Sequence, residues 1–449
     1  MNDYRNLATE LVAELKKQGV DQSDVYVTAG SEFSTDIRLG KIEKLEQSIS
    51  KGLGLRIIKN GATALTFTTD FADKSVKSLV KETLDIVKVS NADQYNGLAP
   101  KEHLGAYDGK LALFDESLAS MTPEKKLSLA REMEEAGMKA DKRITNTEGS
   151  SWYDGTRQLT LANSDGFAGQ YKTTVASLSI SLLAEENGVK QTDYWYSFNR
   201  FVNKLESPTK LGQEAARRVV AKLGGRKVKS QKVPVVLDPM ISRGFISMVF
   251  NGASGRSIWR KASFLLDKVG QEIASPLVTI MDDATMWDGP SSRPFDGEGV
   301  KSSQVTVVDK GVLKSYICDS YSARRLNLKP TGHAARSYQS LPGIGSTNLY
   351  LKNGTTDPKE IVKSVKQGLY VTGLFGQGTN MVTGDISRGA VGFWIENGEI
   401  TYPVQEITLA GNALTLLKNI AAVGNDLNFR FGGTAAPTIL LSEATVGGA

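Results

Sequence analysis

The chain of 449 residues contains one cysteine, Cys318, and two histidines, His103 and His333. A single thiol excludes an internal disulfide and every cysteine-rich metal site, and it fits a reducing compartment. Two histidines so far apart exclude the common zinc signature, in which two imidazoles share a helical face with a glutamate that activates water. No apolar run approaches the ~20 residues that cross a bilayer. The opening stretch MNDYRNLATELVAELKKQG reads as an amphipathic helix rather than an export signal. A cytoplasmic protein with no membrane contact is expected. Charge of one sign is also scarce, since 54 basic and 49 acidic residues leave only +5. The one basic cluster, Arg226-Lys227-Val228-Lys229 with Lys232, has no interleaved aromatics, so direct nucleic-acid binding is not expected.

What is present is ordinary globular material, 40% hydrophobic and 23% charged, in a chain too long for one compact core. Leu7, Leu11, Val12 and Leu15 form the apolar stripe of a helix over 3–17, ended by Gly19. Strand patterns follow over 24–28, 33–39, 41–48, 52–58 and 62–68, with Asn60-Gly61 as a hairpin turn, and then a helix over 72–89. Thr122-Pro123-Glu124 opens a second unit with an N-cap and a first-turn proline. Alternating strands follow over 144–202, then a helix over 208–223. After Gly224-Gly225 come a short strand over 233–237, a helix over 240–250 and hairpins, one of them turning at Asn397-Gly398. The expected class is α+β: N-terminal antiparallel sheets flanked by helices, and a C-terminal β-rich mixed domain. The expected division is an N-terminal domain 1–110, a central helix-and-strand unit 111–225 packing with it, and a C-terminal domain 226–449.

The chemical motifs are mostly weak. Ser254 and Ser346 each sit near glycines, but neither lies in a G-x-S-x-G elbow. Gly376-Gln377-Gly378 lacks the third glycine and the helix of a dinucleotide fingerprint, and no Walker sequence exists. Asp282-Asp283, Asp296 and Glu298 fall in two acidic stretches that could hold a hard cation. The favoured reading is acidic loop residues accepting from nearby backbone N–H groups. His333, in Pro330-Thr331-Gly332-His333, reads as a solvated or turn-capping side chain rather than a ligand.

Several longer runs are more specific. They are Gly255-Arg256-Ser257-Ile258-Trp259-Arg260-Lys261-Ala262-Ser263-Phe264-Leu265-Leu266-Asp267, Pro294-Phe295-Asp296-Gly297-Glu298-Gly299-Val300, Ser320-Tyr321-Ser322-Ala323-Arg324, Thr331-Gly332-His333-Ala334 and the run 383–412. With these the chain resembles the TldD/PmbA family, the so-called modulators of DNA gyrase, on its PmbA (TldE) branch. The resemblance covers about 233–449 closely. The N-terminal half fits more loosely, through element order and Gly52-Leu53-Gly54-Leu55-Arg56.

That resemblance implies a metallopeptidase scaffold. TldD-type members carry a His-Glu-x-x-x-His helix and pair with a TldE-type subunit around an enclosed cleft, cleaving unfolded peptides and leader peptides. By spacing, Ser247 and Met248 stand where the first His and the Glu would be, and Gly252 where the second His would be. No Asp, Glu, His or Cys lies between Asp238 and Asp267, and no Cys follows Cys318, although active members also use a Cys near the C-terminus. Hydroxyl, thioether and glycine cannot hold zinc. No catalytic residue, metal ligand or cofactor is therefore expected in this chain, and the metal is expected in a TldD-type partner. An extended peptide needs a strand edge, which points to Gln377, Ser387, Arg388 and Gly389 as peptide-binding residues. The expected function is a non-catalytic subunit that encloses and positions peptide, able to form a homodimer when alone. The alternatives are a stand-alone peptidase of another mechanism, or a binding protein that modulates gyrase.

Overall fold

A computed structural model describes residues 3–448. Helix α1 (Arg5–Lys17) buries Ala8, Leu11, Val12 and Leu15. It is followed by β1 (Gln22–Arg38), β2 (Lys41–Lys59), β3 (Ala62–Thr68) and α2 (Asp73–Val89). The β2–β3 turn places Asn60 at φ 51° and Gly61 at φ 76°, the left-handed pair that a two-residue hairpin requires. Then come α3 (Pro123–Lys139), β4 (Ile144–Asn163), β5 (Ala168–Glu186), β6 (Val189–Asn199) and α4 (Pro208–Ala221). The side chain of Thr122 caps α3 and that of Ser207 caps α4, each with proline in the first turn.

These six strands form one antiparallel sheet in the order β3-β2-β1-β4-β5-β6. The central pair is β1 with β4, in register from Asp24↔Asn163 to Ile37↔Ser150. Alternation then sorts side chains between faces. Val25, Val27, Leu53, Leu55 and Ile57 pack under α1 and α2. Trp152, Leu178, Ile180 and Leu182 pack under α3 and α4. On the opposite face Tyr26, Leu159 and Leu161 gather around Phe295 of the C-terminal half. The Phe295 ring meets Phe167 and Tyr171 edge-on, with centroids 4.9 and 5.1 Å apart.

The C-terminal half is built on β7 (Gln231–Leu237), α5 (Pro239–Gly252), β8 (Gln367–Phe375), β9 (Asp385–Glu396), β10 (Glu399–Asn412), β11 (Ile420–Val423) and β12 (Ile439–Gly447). Its strand order is β10-β9-β8-β7-β12-β11, and β10 also pairs with β12, so the sheet curls shut. β7 runs parallel to β8 and the remaining pairs are antiparallel. A smaller sheet around Ile280–Asp283 packs against it, and α5 lies in their common core with Phe245, Ile246, Met248 and Val249 buried. Asp282 and Asp283 are therefore strand residues, not the loop residues the sequence suggested.

The two halves are fastened by buried charge. Arg56 Nε donates to Asp24 Oδ2 at 2.7 Å, and Arg336 Nη1 donates to Asp24 Oδ1 at 2.8 Å. Arg56 also stands 3.9 Å from Glu298. Burial works to raise the Asp24 carboxyl, but the charges of Arg336 and Arg56 outweigh it and hold the group below the usual carboxylate range. Arg324 adds three hydrogen bonds to the carbonyls of Tyr95, Gly97 and Leu98. Gly52 and Gly54 are needed here because a Cβ on either would collide with Tyr338, which lies across β2.

Asp24→Asn leaves two buried guanidinium groups without their shared counter-charge. A loss of about 3–5 kcal/mol is expected in denaturant unfolding at neutral pH. Because the folded-state carboxyl is depressed, its contribution is present above the unfolded value and is lost as pH falls through the folded one. The variant therefore also shows a flatter acid limb. Unchanged stability and an unchanged acid limb would contradict the fastening role.

Candidate functional site

Helix α5 starts where β7 ends. The Asp238 side chain caps it through Met240 N at 2.9 Å, and Tyr370 donates to the other carboxylate oxygen at 3.1 Å. Burial pushes the Asp238 carboxyl up from its ordinary value. Because β7 turns into α5, its pairing with β8 stops at Leu237↔Val371. β8 runs on through Thr372–Phe375 with only β9 beside it, in register Gly373↔Val391, Leu374↔Ala390 and Phe375↔Gly389. One edge of these residues therefore has no strand neighbour among the described residues.

That open edge forms one wall of a groove of about 590 Å³. Ser247 and Met248 of α5 line it, as do Arg388 and Ile386 of β9. Tyr194 and Phe431 close the far side, where Phe431 packs edge-on against Trp195 with centroids 5.0 Å apart. The groove thus lies between the six-stranded sheet and the C-terminal half. The buried hydroxyl of Thr372, at a bulge in β8, lines it and has no hydrogen-bond partner.

The groove is cationic. Asp193 lines it and holds Arg218 and Lys222 at 3.3 and 3.0 Å. Arg243 and Arg388 also line it, and neither has a carboxylate within ion-pair distance among the described residues. Arg243 donates to Phe431 O at 2.9 Å. Arg388 donates to the carbonyls of Gly376 and Leu374, at 3.1 and 3.3 Å. Both guanidinium groups thus line the groove while donating to neutral carbonyls.

Of the residues singled out in the sequence, Ser247, Met248 and Arg388 come together on this groove. Gly252 does not. It lies one turn further along α5, buried, where a Cβ would stand 2.9 Å from the Phe264 ring and 3.1 Å from Leu265. Ser387 alternates with Ile386 and Arg388 and is exposed, its N–H donating to Gly378 O at 2.7 Å. Gln377 is exposed on the adjoining turn, which is tight because a Cβ at Gly378 would collide with Ser387 O. Gly389 sits opposite Phe375 in the ladder. Arg243 lies on α5 itself; Phe375, Thr372 and Phe431 carry no sequence motif, and only the fold brings them to that helix.

The other candidates are occupied elsewhere. Asp296 accepts from the N–H groups of Glu298, Val300 and Ala334, and Glu298 accepts from Ser320 N, in keeping with carboxylates that satisfy backbone donors. His333 is buried rather than solvated. Its Nδ1 lies 2.8 Å from Thr331 O, and its Nε2 approaches Asp282 Oδ1 at 3.3 Å. Burial pushes the Cys318 thiol up to about 12, so it supplies no nucleophile. Among the described residues no three His, Cys, Asp or Glu side chains converge to hold a metal ion. The donors that α5 turns to the groove, a hydroxyl and a thioether, do not fit zinc.

Gly252→His forces an imidazole against Phe264 and Leu265. An overpacking loss of about 1–3 kcal/mol is expected in thermal unfolding. Ser247→His, at the half-buried groove-lining position, should leave stability nearly unchanged. Equal losses at the two positions would contradict this packing.

Three successive stretches match domains of one protein family. Residues 23–87 match domain 1, 116–223 the central domain and 230–448 the C-terminal domain of the PmbA/TldA metallopeptidases. The chain is 35% identical over 441 residues to the metalloprotease PmbA of Escherichia coli O157:H7, covering 98% of this chain and 95% of that one. It is 25% identical to a metalloprotease TldD homolog of Haemophilus influenzae, covering 99% and 97%. A crystal structure of a protein named as a modulator of DNA gyrase from Bacteroides thetaiotaomicron superposes with a TM-score of 0.92, at 30% identity and over 100% of both chains.

Proposed function

This chain belongs to the PmbA/TldD metallopeptidase family, on its PmbA side, and on that premise we propose that it is a peptide-positioning subunit that does not itself hydrolyse. The observation that carries the reading is the groove along α5. It has the place and shape for an extended peptide, but Ser247, Met248 and Gly252 stand where metal ligands and a general base are needed. A peptide backbone can add to the open edge of Thr372–Phe375, with the free Thr372 hydroxyl as a further polar contact. Phe375 and Phe431 offer apolar surface beside that edge. Arg388 and Arg243 supply charge for a peptide carboxylate. Gln377 lies on the β8–β9 connection, while Ser387 and Gly389 belong to β9 on the other edge of β8, so of the four residues expected to bind peptide only Arg388 lines the groove.

Hydrolysis then requires a TldD-type partner that brings the metal and the activated water. A surface for it exists on the outer half of β2. Residues 41–51 pair with β1 alone and are exposed, with Ile49 at 86%, Leu45 at 49% and Ile42 at 44% accessibility. With no partner present, the same surface suits a second copy of the chain. Working on unfolded peptides also fits a groove whose main contacts are with backbone rather than with a particular side chain.

The test is cleavage of an unfolded peptide by the pure, zinc-loaded chain and by its mixture with a TldD-type subunit. Turnover is expected only from the mixture. Ile49→Asp should lower the yield of the mixed complex. Arg388→Ala should raise KM on the order of tenfold with kcat little changed. Metal-dependent turnover by the pure chain would sink the proposal.

A further inference from the structure

A second cavity, of about 300 Å³, lies between the six-stranded sheet and the C-terminal half. It shares no lining residue with the α5 groove, although Ser291 in its wall abuts Gly433 in the wall of the groove. Four arginines line it: Arg157 of β4, Arg200 just past β6, and Arg293 and Arg336 from the C-terminal half. No Asp or Glu lines it. Tyr26 and Tyr171 complete the sheet side.

Two of the guanidinium groups are only partly satisfied, and a third meets no negative charge. The Arg336 side chain is 1% exposed and lies over the Tyr26 ring at 4.6 Å. Its Nη1 reaches Asp24, but its buried Nε and Nη2 have no partner. Arg293 Nη2 donates to Gly332 O at 3.1 Å, and its buried Nε has no partner. Arg200 donates at 3.0 Å to Gly289 O, at 3.5 Å to Leu113 O and at 2.7 Å to Ser292 O, all neutral carbonyls. Burial away from any carboxylate lowers its pKa to about 10. Arg293 has no carboxylate within ion-pair distance among the described residues, although its charge acts on the buried Asp296 carboxyl, whose oxygens accept from backbone N–H groups.

Buried charge without a counter-charge is costly, and buried donors without acceptors are rare in native proteins. The buried Arg200 and Arg336 guanidinium groups, the half-buried Arg293 and the exposed Arg157 surround one small cavity that no carboxylate lines. We propose that this cavity binds a tetrahedral oxyanion, either phosphate or the phosphate group of a small monoester. The arginines come from separate elements. A planar carboxylate serves one guanidinium fork with its two oxygens, whereas a phosphate presents oxygens in several directions and carries up to two charges. An anion seated here would bridge Arg157 and Arg200 of the sheet to Arg293 and Arg336 of the C-terminal half, stiffening the joint between them. The site is independent of the peptidase reading and stands or falls separately from it.

The experiment is thermal unfolding and calorimetric titration of the full-length chain with inorganic phosphate and with glycerol phosphate. Acetate and sodium chloride at matched ionic strength serve as controls. A saturable rise in Tm with phosphate, well beyond that with chloride, is expected. Arg157→Gln, at an exposed position, should keep the native Tm in chloride, and Arg293→Gln removes a charge from the interior. Each should weaken phosphate binding on the order of tenfold. Tighter binding of glycerol phosphate than of free phosphate would support the monoester, and the reverse would support the free ion. Equal Tm rises in phosphate and chloride, acetate saturating as tightly as phosphate, or unchanged affinity in both variants would overturn the proposal.

Discussion

The buried triad of Arg56, Asp24 and Arg336 is the contact on which the rest of the molecule depends. It ties the second and first strands of the sheet to a loop of the C-terminal half more than three hundred residues away. Removing one member of such a triad leaves charge stranded in low dielectric, so the network tolerates only a narrow range of arrangements between the halves. Both the α5 groove and the arginine-lined cavity are spaces between those halves. Their shapes follow from how the triad, the Arg324 fork and the Phe295 cluster hold the halves together.

The most distinctive sequence runs prove to be parts of this joint. Gly52 and Gly54 make room for Tyr338, while Leu53 and Leu55 point into the helix-covered core and Arg56 takes the ion pair. In the Pro294 to Val300 run, Phe295 packs on the sheet, Asp296 gathers three backbone donors and Glu298 faces Arg56. In the Ser320 run, Arg324 holds the segment around Tyr95 to Leu98. These residues fasten the scaffold. In the proposed reading the family's hydrolytic chemistry would sit at α5, where this chain presents a hydroxyl and a thioether to the groove and packs Phe264 against Gly252.

Much of the fold was legible in local signals. Capped helices with first-turn prolines and the Asn-Gly hairpins fell where expected, because each rests on a few neighbouring residues. Strand lengths were less legible. Gly30-Ser31 reads as a break in the sequence, yet β1 passes straight through it, since Gly30 sits where a Cβ would collide with Thr156 O of β4. Motif spacing singled out Ser247 and Met248, but their place on a groove wall comes from the structure. The remaining walls of that groove include Phe375 and Phe431, whose meeting with α5 depends on β7 ending early and on Phe431 docking against Trp195. No window of sequence records such long-range contacts. The solvated reading of His333 fails for the same reason, since the Thr331 and Asp282 partners draw it inside, while its contact with Thr331 O fits the turn-capping alternative.

The central claim is that α5 forms a peptide groove without a metal centre. Zinc titration of the chelator-treated pure chain, read by calorimetry and by elemental analysis after gel filtration, tests it most directly. The account predicts no stoichiometric zinc retained, and the same result after Ser247→Ala. One tightly held zinc per chain, lost on substitution at Ser247 or Met248, would contradict it.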